Sequence, residues 1–198
     1  MWKFRSLLLA LLFIIIALEL RGVPLSKTYT LDERLSQYGI GFSIKYPDNW
    51  ELIEIYPQNI ELLLQQETYL TSLIKLNAPN NETSIEIGVV YLKDAAEITL
   101  LEMKKRIADS PLPEKTILEQ KEIILDDGHE ALYTHFIGTS SITSNAKNRT
   151  VPQSILIGLA ENSRFFMLIY GSPLNSLENF EKHKSAALAT MKSFKFVQ

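Results

Sequence analysis

The sequence predicts an α+β fold, an antiparallel twisted sheet of about six strands flanked by helices in an α/β/α layered sandwich, preceded by an N-terminal signal or anchor helix. Three observations predict it. Short runs of alternating apolar residues are joined by turn sequences, which is the pattern of hairpin strands. Two later segments, 94–109 and 175–193, carry apolar residues at helical spacing. An unbroken apolar run at 7–18 follows Lys3 and Arg5.

The apolar run at residues 7–18 indicates export. As a helix it measures about 18 Å against a hydrocarbon thickness of about 30 Å, so its length favours a signal peptide over a permanent span. No small-residue pair typical of a cleavage site follows it, and a retained short anchor is therefore the alternative. Both alternatives predict an extracytoplasmic domain, periplasmic or secreted, that contacts the membrane only through residues 1–20 if these remain uncleaved.

Length and composition predict one globular domain behind this segment. The 198 residues, 46% of them hydrophobic and 22% charged, are divided into residues 1–20, a lead-in at 21–37 and a domain at 38–198. The lead-in is polar and is expected to be irregular or a short helix. A domain of this size buries roughly 70% of the surface that its unfolded chain exposes, so it needs no disulfide or metal to fold.

The first strands of the domain are predicted at residues 40–55, IGFSIKYPDNWELIEI. Apolar and polar residues alternate on both sides of a Pro-Asp-Asn turn, so the stretch is expected to form a hairpin that later elements cover. Residues 60–64 and 69–76 are expected to be extended, and 84–92 alternates as a strand buried on at least one face. Asp94, with Glu97 three residues later, is expected to cap the helix at 94–109.

Two further hairpins and a helix complete the predicted domain. Residues 116–125 and 129–137 flank Asp-Asp-Gly, a sequence that tolerates the positive φ of a tight turn. Residues 153–160 and 164–170 are the most continuously apolar strands, so we expect them at the centre of the sheet. In the helix at 175–193, Asn175 is the expected cap, and the expected apolar face is Leu177, Phe180, Ala187, Leu188 and Met191. Residues 194–196 are expected to form an edge strand.

Three stretches are similar to the PsbP-like superfamily, whose members include an extrinsic subunit of photosystem II, a Ran-binding import factor and bacterial envelope proteins. They are GFSIKYPDNWELIE near the start, the mid-chain helix followed by a hairpin, and SRFFMLIYGSP followed by a helix and the ending MKSF. Together they cover about residues 38–197. The resemblance implies an antiparallel sheet between helical layers and no catalysis. The sequence lacks the lipobox cysteine common in bacterial relatives.

Reactive groups form no catalytic, cofactor or metal motif in the sequence. The absence of cysteine excludes thiol nucleophiles and thiolate metal sites, and a net charge of −3 argues against nucleic acid. His129 and His135 stand about 20 Å apart along a strand, too far to share one metal ion, so both are expected to be ordinary hairpin residues. His183, between two lysines, is expected to be solvated. Two Ser-x-x-Lys matches lack the helical context that acyl transfer requires.

The long polar loop predicted at 139–151 is the one candidate for binding a partner. It is longer than most hairpin connections and places Lys147 and Arg149 on an otherwise acidic domain, and its first residue is Thr139. The first hypothesis is therefore a non-enzymatic accessory or assembly domain that binds a protein partner or membrane complex. A small-ligand-binding envelope protein, with a pocket between sheet and helix, is the alternative. A solvated loop without a partner is the simpler interpretation of the same residues.

Overall fold

The computed structural model describes most of the predicted domain. The described residues are 24–31, 35, 39–56, 58–60, 62, 68–92, 99, 101–102, 105, 116–140, 149–161, 164–172 and 176–197. The N-terminal segment at 1–20 and nearly all of the predicted helix at 94–109 lie outside them.

The described part of the chain contains ten strands and one long helix. The strands are β1 (Lys27–Thr30), β2 (Phe42–Tyr46), β3 (Glu51–Glu54), β4 (Thr68–Asn77), β5 (Ser84–Leu92), β6 (Thr116–Ile124), β7 (Glu130–Ser140), β8 (Arg149–Glu161), β9 (Arg164–Gly171) and β10 (Lys195–Phe196), and the helix is α1 (Leu177–Lys192). Seven strands form one antiparallel sheet in the order β3–β4–β5–β9–β8–β7–β6. A three-stranded antiparallel sheet has the order β1–β2–β10.

The two later hairpins form where the sequence predicts them. β6 and β7 pair across the Asp-Asp-Gly turn, in which Gly128 has a φ of +92° and donates its N–H to the Leu125 carbonyl at 3.0 Å. β8 and β9 pair with each other and occupy inner positions of the large sheet. The continuous apolar runs of these strands suit positions that are flanked by a strand on each side and covered on their faces.

The predicted hairpin at 40–55 is wrong. β2 belongs to the three-stranded sheet and β3 to the seven-stranded sheet, so these two consecutive strands do not pair. The Trp50 N–H donates to the Pro47 carbonyl at 3.1 Å, and this turn passes the chain from one sheet to the other. Trp50 itself is buried. Alternation shows that a segment is a strand but not which strand lies beside it.

Two further expectations differ from the structure before residue 70. The lead-in contributes β1, whose four residues pair with β2 from Lys27 opposite Tyr46 to Thr30 opposite Ser43. Being short and largely exposed, β1 has almost no apolar alternation to reveal it. Ile60 and Leu62 are helical rather than extended. Short apolar runs are where helix and strand patterns are hardest to separate.

Helix α1 begins one residue later than the predicted cap. Ser176, not Asn175, is the N-cap, and its hydroxyl accepts the Asn179 N–H at 3.2 Å. Leu177, which the sequence placed on the apolar face, is the first helical residue and is 52% exposed. The helix ends against the β6–β7 turn, where the Asp126 N–H donates to the Lys192 carbonyl at 3.0 Å.

One face of the large sheet packs against α1 and the small sheet. Ile85, Tyr170 and Ile155 are register partners on neighbouring strands, and all three are fully buried. The helix adds its own buried side chains to this face, namely Phe180, Ala186, Ala187, Thr190 and Met191. On β7, His135 lies opposite Ile155 and so belongs to the same face. The buried residues Leu132 and Thr134 are an odd number of positions from His135 and therefore lie on the other face. The sheet is thus buried on both faces at this strand.

The chain after α1 joins the two sheets through the Ser-Phe ending. Phe194 stacks on Phe42 of the small sheet with ring centroids 5.0 Å apart, and it lies 5.8 Å from Phe166 of the large sheet. The Ser193 hydroxyl accepts the Lys45 N–H of β2 at 2.8 Å and lies 2.7 Å from the Thr190 carbonyl, its nearer acceptor. These two residues therefore carry the contact between helix end, small sheet and large sheet.

Ser193→Ala is expected to destabilise the fold by about 1–3 kcal/mol. Ser193 is 8% exposed, and the alanine leaves the Lys45 N–H without the oxygen that now accepts it. Urea denaturation of both proteins measures the difference. Ser176→Ala makes the same change at the N-cap of α1 and is the comparison variant. Its expected loss of stability is about 1 kcal/mol. An unchanged midpoint for Ser193→Ala would contradict the assigned hydrogen bond.

Candidate partner-binding site

The predicted partner-binding loop is shorter than its sequence suggests. Thr139 lies in β7 opposite Thr150, and Arg149 lies in β8 opposite Ser140, so both ends of the predicted loop are strand. Lys147 lies outside the described residues. Polar composition alone therefore misplaced the boundaries, because strand pairing continues through residues with little apolar alternation.

These strand ends extend past their neighbours in the sheet. β6 pairs with β7 only as far as Ile137, and β9 pairs with β8 only from Ile155 onward. Beyond those points and beyond a register shift after Phe136, β7 and β8 pair with each other and with no other described strand. Their pairs there are Gly138–Val151, Thr139–Thr150 and Ser140–Arg149. We call residues 138–140 and 149–151 the hairpin arm. Neither β6 nor β9 pairs with the arm, so no strand in the described part of the chain lies beside either of its outer backbone edges.

The two hairpin histidines face different surroundings. His129 Nδ1 lies 3.0 Å from Asp127 Oδ2, and its ring meets Phe196 edge-on at 5.1 Å. His135 is 8% exposed and stacks on Phe180 of α1 at 5.9 Å. Within the described ranges, no three His, Asp or Glu side chains are grouped closely enough to hold a metal ion.

His183 is not solvated, contrary to the expectation from its lysine neighbours. Its Nε2 lies 2.9 Å from the Glu82 carboxylate, which also accepts a hydrogen bond from Lys182 Nζ at 2.7 Å. The His183 side chain is only 12% exposed, and Trp50 meets its ring edge-on at 6.2 Å. The hydrogen bonds from Lys182 and then from His183 hold the pKa of Glu82 at about 2, below its usual 4.5.

This corner cluster, Glu82 with Lys182, His183 and Trp50, holds together three distant parts of the chain. Glu82 precedes β5, Lys182 and His183 belong to α1, and Trp50 follows the turn after β2. The Ser172 hydroxyl, after β9, also donates to the Glu82 backbone carbonyl at 2.9 Å. Since the carboxylate already carries two donors, the arrangement suits a structural role. Glu82 and His183 are 101 residues apart, so no local spacing in the sequence could reveal the pair.

Glu82 gives the protein a pH-dependent contribution to stability. Its pKa is lower in the folded chain, at about 2, than its ordinary 4.5, so its contribution is present above about pH 4.5 and is lost as the pH falls toward 2. Glu82→Gln is expected to flatten the dependence of unfolding free energy on pH in this interval. Urea titrations at several pH values check it. Glu178→Gln is the control, because it removes an exposed carboxyl from the same helix as Lys182. If the unfolding free energies of wild type and Glu82→Gln changed equally with pH, the ion pair would be contradicted.

The described part of the chain defines an α+β domain of two antiparallel sheets, joined by an aromatic core and packed against a C-terminal helix. Its structure is similar to the solution structure of cyanobacterial PsbP (CyanoP) from Synechocystis sp. PCC 6803, with a TM-score of 0.50 and 9% sequence identity over 89% of this chain and 96% of that chain. The chain thus has the PsbP-like fold that its motifs predict. No family description and no curated protein matches the sequence. Among the described residues, no helix is long and apolar enough to cross a membrane.

Proposed function

We propose that this protein is a non-enzymatic accessory or assembly domain on the outer side of a membrane, where it binds a protein partner or membrane complex. The observation that carries the proposal is the hairpin arm, which extends beyond β6 and β9 as two strands. The PsbP-like fold supports an accessory role by analogy with the extrinsic subunit for which the superfamily is named. The apolar run at residues 7–18, which is expected to direct export, supports the location.

The arm offers a partner two kinds of contact. A strand without a sheet neighbour presents backbone N–H and C=O groups that an extended segment of another protein can pair with. Arg149 belongs to the arm, and Lys147 lies two residues before it in sequence, whereas the whole chain has a formal net charge of −3. A partner that carries an acidic surface beside an extended segment fits both features. Thr139, Lys147 and Arg149 are therefore the proposed binding residues.

Photocrosslinking in the native envelope tests the proposal. A photoreactive residue at Ser140 in the arm is expected to capture one defined protein, whereas the same residue at Glu178, exposed on α1, is not. Capture of the same protein from both positions, or of lipid alone from Ser140, would overturn the assignment. The small-ligand alternative predicts a different result. A ligand at about 100 times its dissociation constant would stabilise the domain by about 2.7 kcal/mol while Ser140 captures no protein.

A further inference from the structure

The four strands at the sheet edges differ in length and charge. β1 and β3 have four residues each and β10 has two, whereas β6 has nine and pairs only with β7 among the described strands. β3 carries exposed glutamates at both ends, so a second copy placed there would bring like charges together. β6 is therefore the longest of the four edges, and its register with β7 is unbroken from Glu119 to Ile124, after a shift between Ile117 and Glu119.

The exposed side chains of β6 are apolar toward its ends and charged in the middle. Ile117 is 38% exposed and Leu118 47% at one end, and Ile124 is 58% exposed at the other. Between them, Lys121 Nζ lies 2.6 Å from Glu119 Oε1, so these two side chains share one face of the sheet. Large exposed apolar residues along an unpaired edge are unusual on a monomer.

The order of these charges is self-complementary about one point. When two copies of a strand pair antiparallel around a two-fold axis through Gln120, Glu119 of each copy lies opposite Lys121 of the other. An axis one residue earlier places Glu119 opposite Glu119, and an axis one residue later places Lys121 opposite Lys121. In the register about Gln120, Glu119 and Lys121 both lie opposite a charge of the other sign. In the two adjacent registers, like charges lie opposite each other and repel.

We propose that two copies of this chain associate through β6, antiparallel about Gln120, so that the two seven-stranded sheets become continuous. The pairing gives partners to the outer backbone groups on both sides of Gln120 and forms two ion pairs between the copies. Antiparallel alignment also brings the end of β6 that carries Ile117 and Leu118 beside the partner's Ile124 end, which covers the exposed apolar side chains of both ends. The partner here is a second copy and the surface is β6, so the inference goes beyond the function proposed for the hairpin arm.

A charge-reversal experiment tests the register. The full-length chain in mild detergent, measured by light scattering after size exclusion, is expected to be a dimer. Glu119→Lys and Lys121→Glu each place like charges opposite one another, so each is expected to weaken the dimer at least about tenfold. An equimolar mixture of the two variants is expected to dimerise again, because one copy then carries two lysines and the other two glutamates.

The controls separate this surface from any other mode of association. Lys192→Glu reverses an exposed charge at the end of α1 and is expected to leave the dimer unchanged, and circular dichroism verifies that every variant is folded. A monomeric wild type at about 100 µM would overturn the proposal. Single reversals that remain fully dimeric would also overturn it, since association would then run through another surface. Failure of the mixture to re-form dimers would contradict the register.

Discussion

Phe194→Ala is expected to lower the free energy of unfolding by about 3–5 kcal/mol, one of the two largest effects predicted for this protein. The Phe194 side chain is fully buried. It stacks on Phe42 at 5.0 Å, tilts against Phe166 at 5.8 Å and meets Phe196 edge-on at 5.3 Å. Its removal leaves a cavity where the small sheet, the large sheet and the end of α1 meet, and such aromatic pairs add to the loss of buried area.

Urea denaturation followed by circular dichroism measures the loss at Phe194. Leu177→Ala is the control, because Leu177 is 52% exposed at the start of α1 and its truncation is expected to change stability by less than about 0.5 kcal/mol. A loss under about 1 kcal/mol for Phe194→Ala would mean that the aromatic cluster does not join the two sheets.

Tyr170→Ala is the second large effect, with an expected loss of about 3–5 kcal/mol. Tyr170 is fully buried between Ile85 and Ile155 in the register of the sheet, and its ring lies 4.9 Å from that of Phe180. Its hydroxyl donates to the Phe180 backbone carbonyl at 2.6 Å, in the first turn of α1. The side chain therefore fills the interface between sheet and helix and also fixes the helix on the sheet.

Tyr170→Phe separates the two contributions of this side chain. It keeps the ring and removes only the hydrogen bond, so the expected loss is about 1 kcal/mol. Burial raises the pKa of Tyr170 above its usual range, so its contribution holds below about pH 10 and is lost as the pH rises further. Tyr170→Phe is expected to remove this part of the alkaline destabilisation. Equal losses for the Ala and Phe variants would contradict the packing role.

The sequence predicts the elements whose determinants are local. Alternation of apolar and polar residues and turn residues such as Gly128 predict β5, the β6–β7 hairpin and the β8–β9 hairpin. Each of these two signals lies within a few sequence positions. Even the helix cap is a local choice, but Asn175 and Ser176 are adjacent and both can cap. Residue type alone does not rank them, and the structure places the cap at Ser176.

The features that the sequence did not predict depend on contacts between distant residues. β2 and β3 show the same alternation of apolar and polar residues whether or not they pair with each other. β2 pairs instead with β1 and with β10, which follows about 150 residues later. The corner cluster around Glu82 and His183 likewise exists only once α1 lies on the sheet. Of the candidate site, the sequence indicates the region around Arg149. It does not indicate that the region is a two-stranded arm, since that depends on where β6 and β9 end.

The yield of crosslinking from Ser140 to its captured protein, compared between wild type and a Lys147→Glu, Arg149→Glu double variant, tests the proposed function most directly. A fall of at least about tenfold is expected in the double variant, because both basic charges proposed to attract the acidic partner are reversed. The matched double variant Lys192→Glu, Lys195→Glu, which reverses two exposed charges near the chain end, is expected to crosslink as wild type does. Equal yields from wild type and the Lys147→Glu, Arg149→Glu variant, with both proteins folded, would contradict partner binding at the hairpin arm.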